Sequence, residues 1–331
     1  MPVNPPTMRA IIQDGYGAPE RVLRLEEIPV PSIGADDVLI RMRATSVNTP
    51  DWATVIGVPY ILRLGSGLRR PKRPVRGSDV AGVVEAVGQG VTDLAPGDEV
   101  FGSTRARAGT FAQYVVAPAA QLIKKPAGLT FTDAAASVMT GLAALVAMRD
   151  VAQVGAGTRV LINGASGGVG TMAVQIAKVL GAEVTGVCGT RNVELVRSLG
   201  ADHVIDYTKE DFSKRAWEIS GKKGVDVLVN YTGGDTWVPS LRTLARYGRL
   251  LTCGATAGFD PKTDIRYIWR REVNIIGANG WTREDLEALL VEVERGSIKP
   301  IIHGVYPLAE SREAMRVMED REVFGKIIVV P

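Results

Sequence analysis

The 331-residue chain has two cysteines and two histidines. Cys188 and Cys253 stand apart in apolar, strand-like runs without a CxxC neighbour, which argues against a disulfide framework or a zinc cluster. His203 follows "GAD" at the start of a strand-like run and His303 lies within "PIIHGV". Both read as structural, and any site needing several imidazoles is excluded. The N-terminus "MPVNPPTM" lacks the basic-then-apolar pattern of a leader, so a cytoplasmic setting is expected. The longest apolar stretch, "AAASVMTGLAALVAM" from Ala134 to Met148, carries Ser137 and Thr140 and falls short of the roughly 18 residues that span a bilayer. It reads as a buried helix, and no membrane partner is expected.

Charge is also nearly balanced. A net +3 with pI near 8.8 designates no partner by itself. One local bias stands out in "RLGSGLRRPKRPVRGS": Arg63, Arg69, Arg70, Lys72, Arg73 and Arg76 share a stretch with no acid between Asp51 and Asp79. Nucleic-acid binding would want aromatic platforms among such charges, yet no Phe, Tyr or Trp occurs between Tyr60 and Phe101. A solvated loop, or a lid near an anionic ligand, is the reading preferred over an RNA site.

What the chain does have is a change of texture. Its first third is rich in short apolar runs punctuated by Pro and Gly, an all-β signature. From Phe131 onward, helical and Val/Ile/Leu-rich strand patterns alternate, which predicts a parallel sheet covered on both faces. A polar helix and "GKIIVVP" close the chain, and that last strand is expected to return to the β domain. Residues 1–127 with 278–331 are thus expected to form a β-rich domain. Residues 128–277 should form a doubly wound α/β domain of Rossmann type, with "KKPAGLTF" as the crossing.

The run "VLINGASGGVG" has strand–turn–helix context and contains Ala165-x-Gly167-x-x-Gly170, with Ser166, Gly168 and Val169 filling the loop. This is a dinucleotide fingerprint with alanine in the first glycine place: small residues permit the tight turn, close approach of backbone to a pyrophosphate, and helix–strand packing. The free N–H groups at the helix start face the phosphates. An NAD site usually carries an acid on the ribose 2′-hydroxyl about 20 residues further on. Here that place reads Gly189, Thr190, Arg191, a hydroxyl and a guanidinium that suit a 2′-phosphate, so NADP(H) is the expected cofactor.

These features together resemble the medium-chain dehydrogenase/reductase superfamily over nearly the whole chain. The blocks "ATSVNTPDW", "GSDVAGVVEAVGQGVTDLAPGDEVFG", "MTGLAAL", "GASGGVG", "GADHVIDY" and "FGKIIVV" resemble its zinc-free quinone oxidoreductase branch, the relatives of zeta-crystallin. The resemblance implies a GroES-like catalytic domain beside the Rossmann domain. Zinc alcohol dehydrogenases of this superfamily place Cys where "VNTPD" has Asn48, and a His-Glu pair where "RGSDVAG" has Ser78 and Asp79. Ser and Asn are poor zinc ligands, so no metal is expected.

Without a Lewis acid, simple alcohol oxidation loses several kcal/mol of transition-state stabilisation. Hydride addition to a quinone or conjugated alkene needs less help, since the developing charge is delocalised. The short-chain alternative would need Tyr-x-x-x-Lys, and none of the eight tyrosines has Lys four residues on.

By resemblance, Asn48 is the candidate hydrogen-bond donor to the substrate oxygen and Asp51 an orienting group, each weighed against a turn cap. Tyr60 is a candidate proton donor, weighed against a half-buried packing role. Lys178 matches a lysine near the 2′-phosphate, Thr140 a nicotinamide-ribose contact, and Gly325 and Lys326 a cofactor-edge contact. Tyr207, Thr232, Gly254 and Asn279 fall at strand ends of the parallel sheet, where ligands bind. The expected activity is NADPH-dependent reduction of quinones or α,β-unsaturated carbonyls, by a homodimer joined around "RREVNIIGA". The alternatives are a zinc-free carbonyl, alcohol or enoyl-thioester oxidoreductase, and a non-catalytic NADPH- or RNA-binding protein.

Overall fold

Alternating apolar residues in the first third make a run of antiparallel strands. The computed structural model describes residues 7–104, 107, 109–319 and 323–331, so the residues read for a leader lie partly outside it. Strand β1 (Thr7–Gln13) pairs with β2 (Leu23–Pro29) across the proline-opened turn of helix α1 (Pro19–Val22). Strand β3 (Asp37–Val47) leads into α2 (Thr49–Ile56) and α3 (Leu62–Ser66). Then come β4 (Asp79–Val87), β5 (Glu99–Ser103), β6 (Tyr114–Pro118) and β7 (Leu122–Lys124). Val38, Ile40, Met42, Val80, Val84, Val100 and Leu122 fill the core between these strands.

Helix α4 (Phe131–Leu145) continues through a π-helical stretch, Val146–Val151. The combined 21 residues are long and apolar enough to cross a membrane by length and composition, which corrects the shorter count made on the sequence. Two-thirds of the most apolar window (67%) is buried, however, as in the core helix of a globular unit.

The parallel sheet follows. Its elements are β8 (Arg159–Asn163), α5 (Gly168–Val179), β9 (Glu183–Cys188), α6 (Val193–Ser198), β10 (His203–Asp206), α7 (Phe212–Ile219), β11 (Val225–Asn230), α8 (Trp237–Thr243), β12 (Leu244–Thr252), α9 (Arg266–Arg271) and β13 (Asn274–Gly277). The strands run in the order β10-β9-β8-β11-β12-β13, all parallel. That is the 3-2-1-4-5-6 order of a dinucleotide-binding sheet, with the reversal between β8 and β11. Helix α10 (Arg283–Glu294) leads to β14 (Ile302–Pro307), α11 (Ser311–Glu319) and β15 (Lys326–Val330). The last strand pairs antiparallel with β3, Ile327 opposite Val47, in the seven-stranded sheet β14-β15-β3-β4-β5-β7 with β6 also on β3.

The chain divides into two compact units: Met1–Met139 with Thr282–Glu287 and Ile302–Pro331, and Thr140–Trp281 with Ala288–Ile301. Residues 128–139 group with the first unit because Phe131 lies under the Arg43 and Lys125 cations. Residues 288–301 group with the second, where the Gln175 amide exchanges two hydrogen bonds with the Lys299 backbone at 2.8 and 2.9 Å.

The tightest backbone approach in the parallel sheet is at Gly170. A Cβ there would stand 2.0 Å from the Gly164 carbonyl oxygen and 2.8 Å from Ala165, whereas one at Gly167 would meet only that oxygen at 3.4 Å. Gly170→Ala is expected to cost about 1–3 kcal/mol in urea unfolding. Gly167→Ala should stay within about 0.5 kcal/mol of wild type.

Candidate active site

In the first unit, β3, β4 and β15 each deliver a polar residue to one buried point. Asn48 ends β3 and opens α2 in an extended conformation, so its side chain turns inward. Its Nδ2 donates to Asp79 Oδ2 at 2.8 Å, and its Oδ1 accepts from Lys326 Nζ at 2.6 Å. Lys326 also donates to the Val47 carbonyl at 2.8 Å, and the Ser46 hydroxyl donates to Asp79 Oδ2. Asp51, in the first turn of α2, accepts from the Asn48 amide at 3.1 Å and from the Gly77 amide at 3.2 Å. Asn48, Asp51, Asp79 and Lys326 are all buried.

Burial dominates their protonation. Desolvation, followed by the charge of Asp79, pushes Asp51 up to about 6. Burial also raises Asp79, against the pull of Lys326 and its hydrogen bonds from Asn48 and Ser46. Lys326 is drawn down by desolvation while Asp79 and Asp51 oppose it, and buried Arg76 is likewise lowered, with Asp51 opposing. Two acids and two bases thus offset one another where neither sign could be buried alone.

A catalytic zinc would need three nitrogen, sulfur or carboxylate ligands, its fourth position being left for water or substrate. At the place the alcohol dehydrogenases use, Asn48 Oδ1 already faces an ammonium, Ser78 is a weak donor, and Asp79 is tied to Asn48 and Ser46. Among the described residues no three of His, Cys, Asp or Glu converge on one point. These side chains do not fit zinc.

In the second unit, Gly164 takes a positive φ (+79°) after β8, Ala165 is fully buried, and Gly167 precedes α5 with no side-chain cap. The first-turn amides of α5 therefore lack intrahelical partners, and the bare Gly167 and Gly168 leave room for a pyrophosphate to approach them. Ser166 is held by the Asn192 amide at 3.1 Å. This cradle fits the phosphates of a dinucleotide.

Most of the sequence-derived candidates gather at the same edge of this sheet. Gly189, Thr190 and Arg191 follow β9, Tyr207 follows β10, Thr232 follows β11, Gly254 follows β12 and Asn279 follows β13. Thr140 is buried in α4.

Several expectations are corrected. Lys178 lies one residue from the end of α5, roughly 15 Å along the helix from the glycine loop at 1.5 Å per residue. Its ammonium bonds the Ala182 carbonyl and both Asp202 oxygens at 2.8–3.0 Å, at the opposite edge of the sheet. Lys326 turns into the core of the first unit, where its ammonium bonds the Val47 carbonyl and Asn48 Oδ1, and Gly325 supplies the positive-φ turn before β15. Asn48 is buried and its Nδ2 donates to Asp79 Oδ2 at 2.8 Å and to Ser46 Oγ at 3.4 Å, so both donors face the cluster rather than a substrate oxygen. Tyr60 is 73% exposed with Arg63 stacked 4.7 Å from its ring, not half-buried packing. Thr190 donates its proton to Asp206 at 2.6 Å, so the acid missing from β9 is supplied by the end of β10. Arg76 moreover is buried, which removes it from the solvated basic stretch.

Sequence reasoning missed Lys326 as a core ion, Asp206, Asn192 and Asn230. Asn230 is fully buried and its Oδ1 accepts from the Thr232 and Gly233 amides. A usable signal existed: Asp79, Lys326, Asp206 and Asn230 are polar residues at the ends of strands rich in Val, Ile and Leu.

Comparison with known proteins agrees with this division. Residues 34–127 match the alcohol dehydrogenase GroES-like domain and residues 168–295 the family described as zinc-binding dehydrogenase. The chain is 32% identical to the chloroplastic quinone oxidoreductase QR1 of Triphysaria versicolor over 339 residues, covering 98% of each. The crystal structure of an NAD-dependent alcohol dehydrogenase matches with TM-score 0.90 and 34% identity over 98% of this chain and 100% of that one. The Escherichia coli quinone oxidoreductase complexed with NADPH matches with TM-score 0.88 and 27% identity over 98% and 100%.

Removing the ammonium from the cluster leaves its carboxylates uncompensated, so Lys326→Met is expected to lose about 3–5 kcal/mol in urea unfolding at neutral pH. Asp51 makes a separate, pH-dependent mark. Its folded value of about 6 exceeds the ordinary 3.8, so its contribution to stability is present at low pH and declines as pH rises from about 4 to about 6. The stability of Asp51→Asn relative to wild type should rise by roughly 2–3 kcal/mol across that window and stay level above it. A pH-independent difference would show that Asp51 titrates normally.

Proposed function

Because the chain belongs to the quinone oxidoreductase family of the medium-chain dehydrogenase/reductase superfamily, we propose that it is an NADPH-dependent reductase of quinones or α,β-unsaturated carbonyls that works without zinc. The observation that carries this reading is the closed Asp79–Asn48–Lys326 network, which takes up the side chains a catalytic metal would need. An acceptor that spreads its developing charge over an enone or a quinone ring requires the least electrophilic help. Bound NADPH supplies the hydride. The chain's own residues then serve mainly to position it: Gly167, Gly168 and the α5 amides take the phosphates, and Thr190, Arg191 and Tyr207 stand at the ribose end. Positioning of this kind lowers the barrier through entropy.

The edge of the parallel sheet supports a homodimer. Strand β13 is an outer strand with Ile275 37% exposed, and Ile265 and Trp269 nearby in sequence are each 65% exposed. A second copy pairing edge to edge would satisfy the open backbone groups and cover these side chains.

Two measurements test the reading. NADPH oxidation should be fast with 1,4-benzoquinone or an alkenal, slow with a simple ketone, and unchanged by a chelator or by added zinc. Turnover restricted to the ketone, or dependent on zinc, would overturn it. By size-exclusion chromatography with light scattering, the 35.3 kDa chain should run at about twice that mass, and Ile275→Lys should shift it to the monomer. A wild-type monomer would remove the dimer.

A further inference from the structure

Asp206 ends β10 directly beside Cys188 of β9, at the edge where the second strand hands over to Thr190. Thr190 lies about 20 residues past the fingerprint, the place that faces the 2′ position of the adenosine ribose. The Asp206 carboxylate is 8% exposed and fully engaged. Oδ2 accepts from the Thr190 hydroxyl at 2.6 Å and faces Lys209 at 3.3 Å, while Oδ1 accepts from the Thr208 amide at 3.1 Å and the Thr208 hydroxyl at 2.7 Å. The hydrogen bond from Thr190, then those from Thr208, hold its pKa down to about 2, so it is an anion at any working pH.

A threonine hydroxyl has one proton to give. The Thr208 hydroxyl stands 2.8 Å from that of Thr190, but the nearer and charged acceptor is Asp206 Oδ2 at 2.6 Å, so the Thr190 proton points to Asp206 and the hydroxyl presents only lone pairs to a ligand. Lone pairs accept from a ribose 2′-hydroxyl and repel a 2′-phosphate. The fixed charge of Asp206 acts in the same sense.

We propose that Asp206 is a positioning residue for nucleotide choice: by holding the Thr190 hydroxyl as an acceptor, it gives the protein usable affinity for NADH and limits its preference for NADPH. This rests on the dinucleotide reading of the glycine loop. It adds to that reading an acid from the third strand, opposing the basic residue contributed after the second.

Asp206→Asn is the informative change. Its amide oxygen can keep the two Thr208 contacts, while its NH2 donates to Thr190 and frees that hydroxyl's proton for a 2′-phosphate, in competition with Thr208 Oγ1 at 2.8 Å. Dissociation constants for NADP+, NAD+, 2′,5′-ADP and 5′-AMP, measured by calorimetry, read the effect without any acceptor. Wild type is expected to favour NADP+ over NAD+ by no more than about tenfold. Asp206→Asn should raise that ratio by a further tenfold or so, through tighter NADP+ and 2′,5′-ADP, a change of about 1.4 kcal/mol. In a Thr190→Val background the same substitution should raise it less than about threefold, because the hydroxyl it acts through is gone.

A wild-type ratio above a thousandfold, an unchanged ratio in Asp206→Asn, or equal weakening of both nucleotides would overturn the proposal. An undiminished gain in the Thr190→Val background would overturn the route through Thr190. Failure of wild type to bind any of the four ligands would instead remove the dinucleotide reading itself.

Discussion

The first unit depends on a buried ion cluster that cannot be taken apart one residue at a time. Asp79, Asn48 and Lys326 come from three adjacent strands, β4, β3 and β15, and the last of these arrives some 280 residues after the second. Hydrophobic burial excludes a one-residue slip of these strands, which would turn their apolar face to solvent, but not a slip of two. Placing a carboxylate, an amide and an ammonium in mutual contact at their ends admits only one register, since any slip leaves a charge buried without its partner. The same contacts fix the start of α2, because Asn48 opens that helix and Asp51 returns to bind its amide.

That arrangement bears on chemistry through what it occupies. Where related dehydrogenases gather metal ligands, this chain has an amide already bridging an acid and a base. The site is polar and closed. In the second unit the logic is reversed. The polarity is left open: an uncapped helix start, small residues at Ala165, Gly167 and Gly168, and a row of strand ends at the reversal between β8 and β11. Such a surface is complete only with an anionic ligand on it.

Much of this was legible in the sequence. The change from β texture to βα alternation at Phe131, the fingerprint at Ala165 to Gly170 and the return of "GKIIVV" all follow from local patterns with periods of two or 3.6 residues. The residues that follow each strand of the parallel sheet could be named for the same reason, since strand ends are visible as the last apolar residue of a run. The readings that failed concern side-chain partners. Lys178 looked like a phosphate ligand because it follows the loop in sequence, yet the rise of α5 carries it to the far edge, where Asp202 waits. Asn48 looked like a free donor because neither Asp79 nor Lys326 is near it in the chain.

The sequence by itself determined the order of the elements and the strand–turn–helix of the glycine loop, because these depend on interactions between residues a few positions apart. Only the tertiary structure decided which polar groups are spent and which remain for a ligand. Lys326 meets Asn48 and Asp206 meets Thr190 through strand pairing, and a hydrogen bond across strands depends on register, which one-dimensional spacing does not encode.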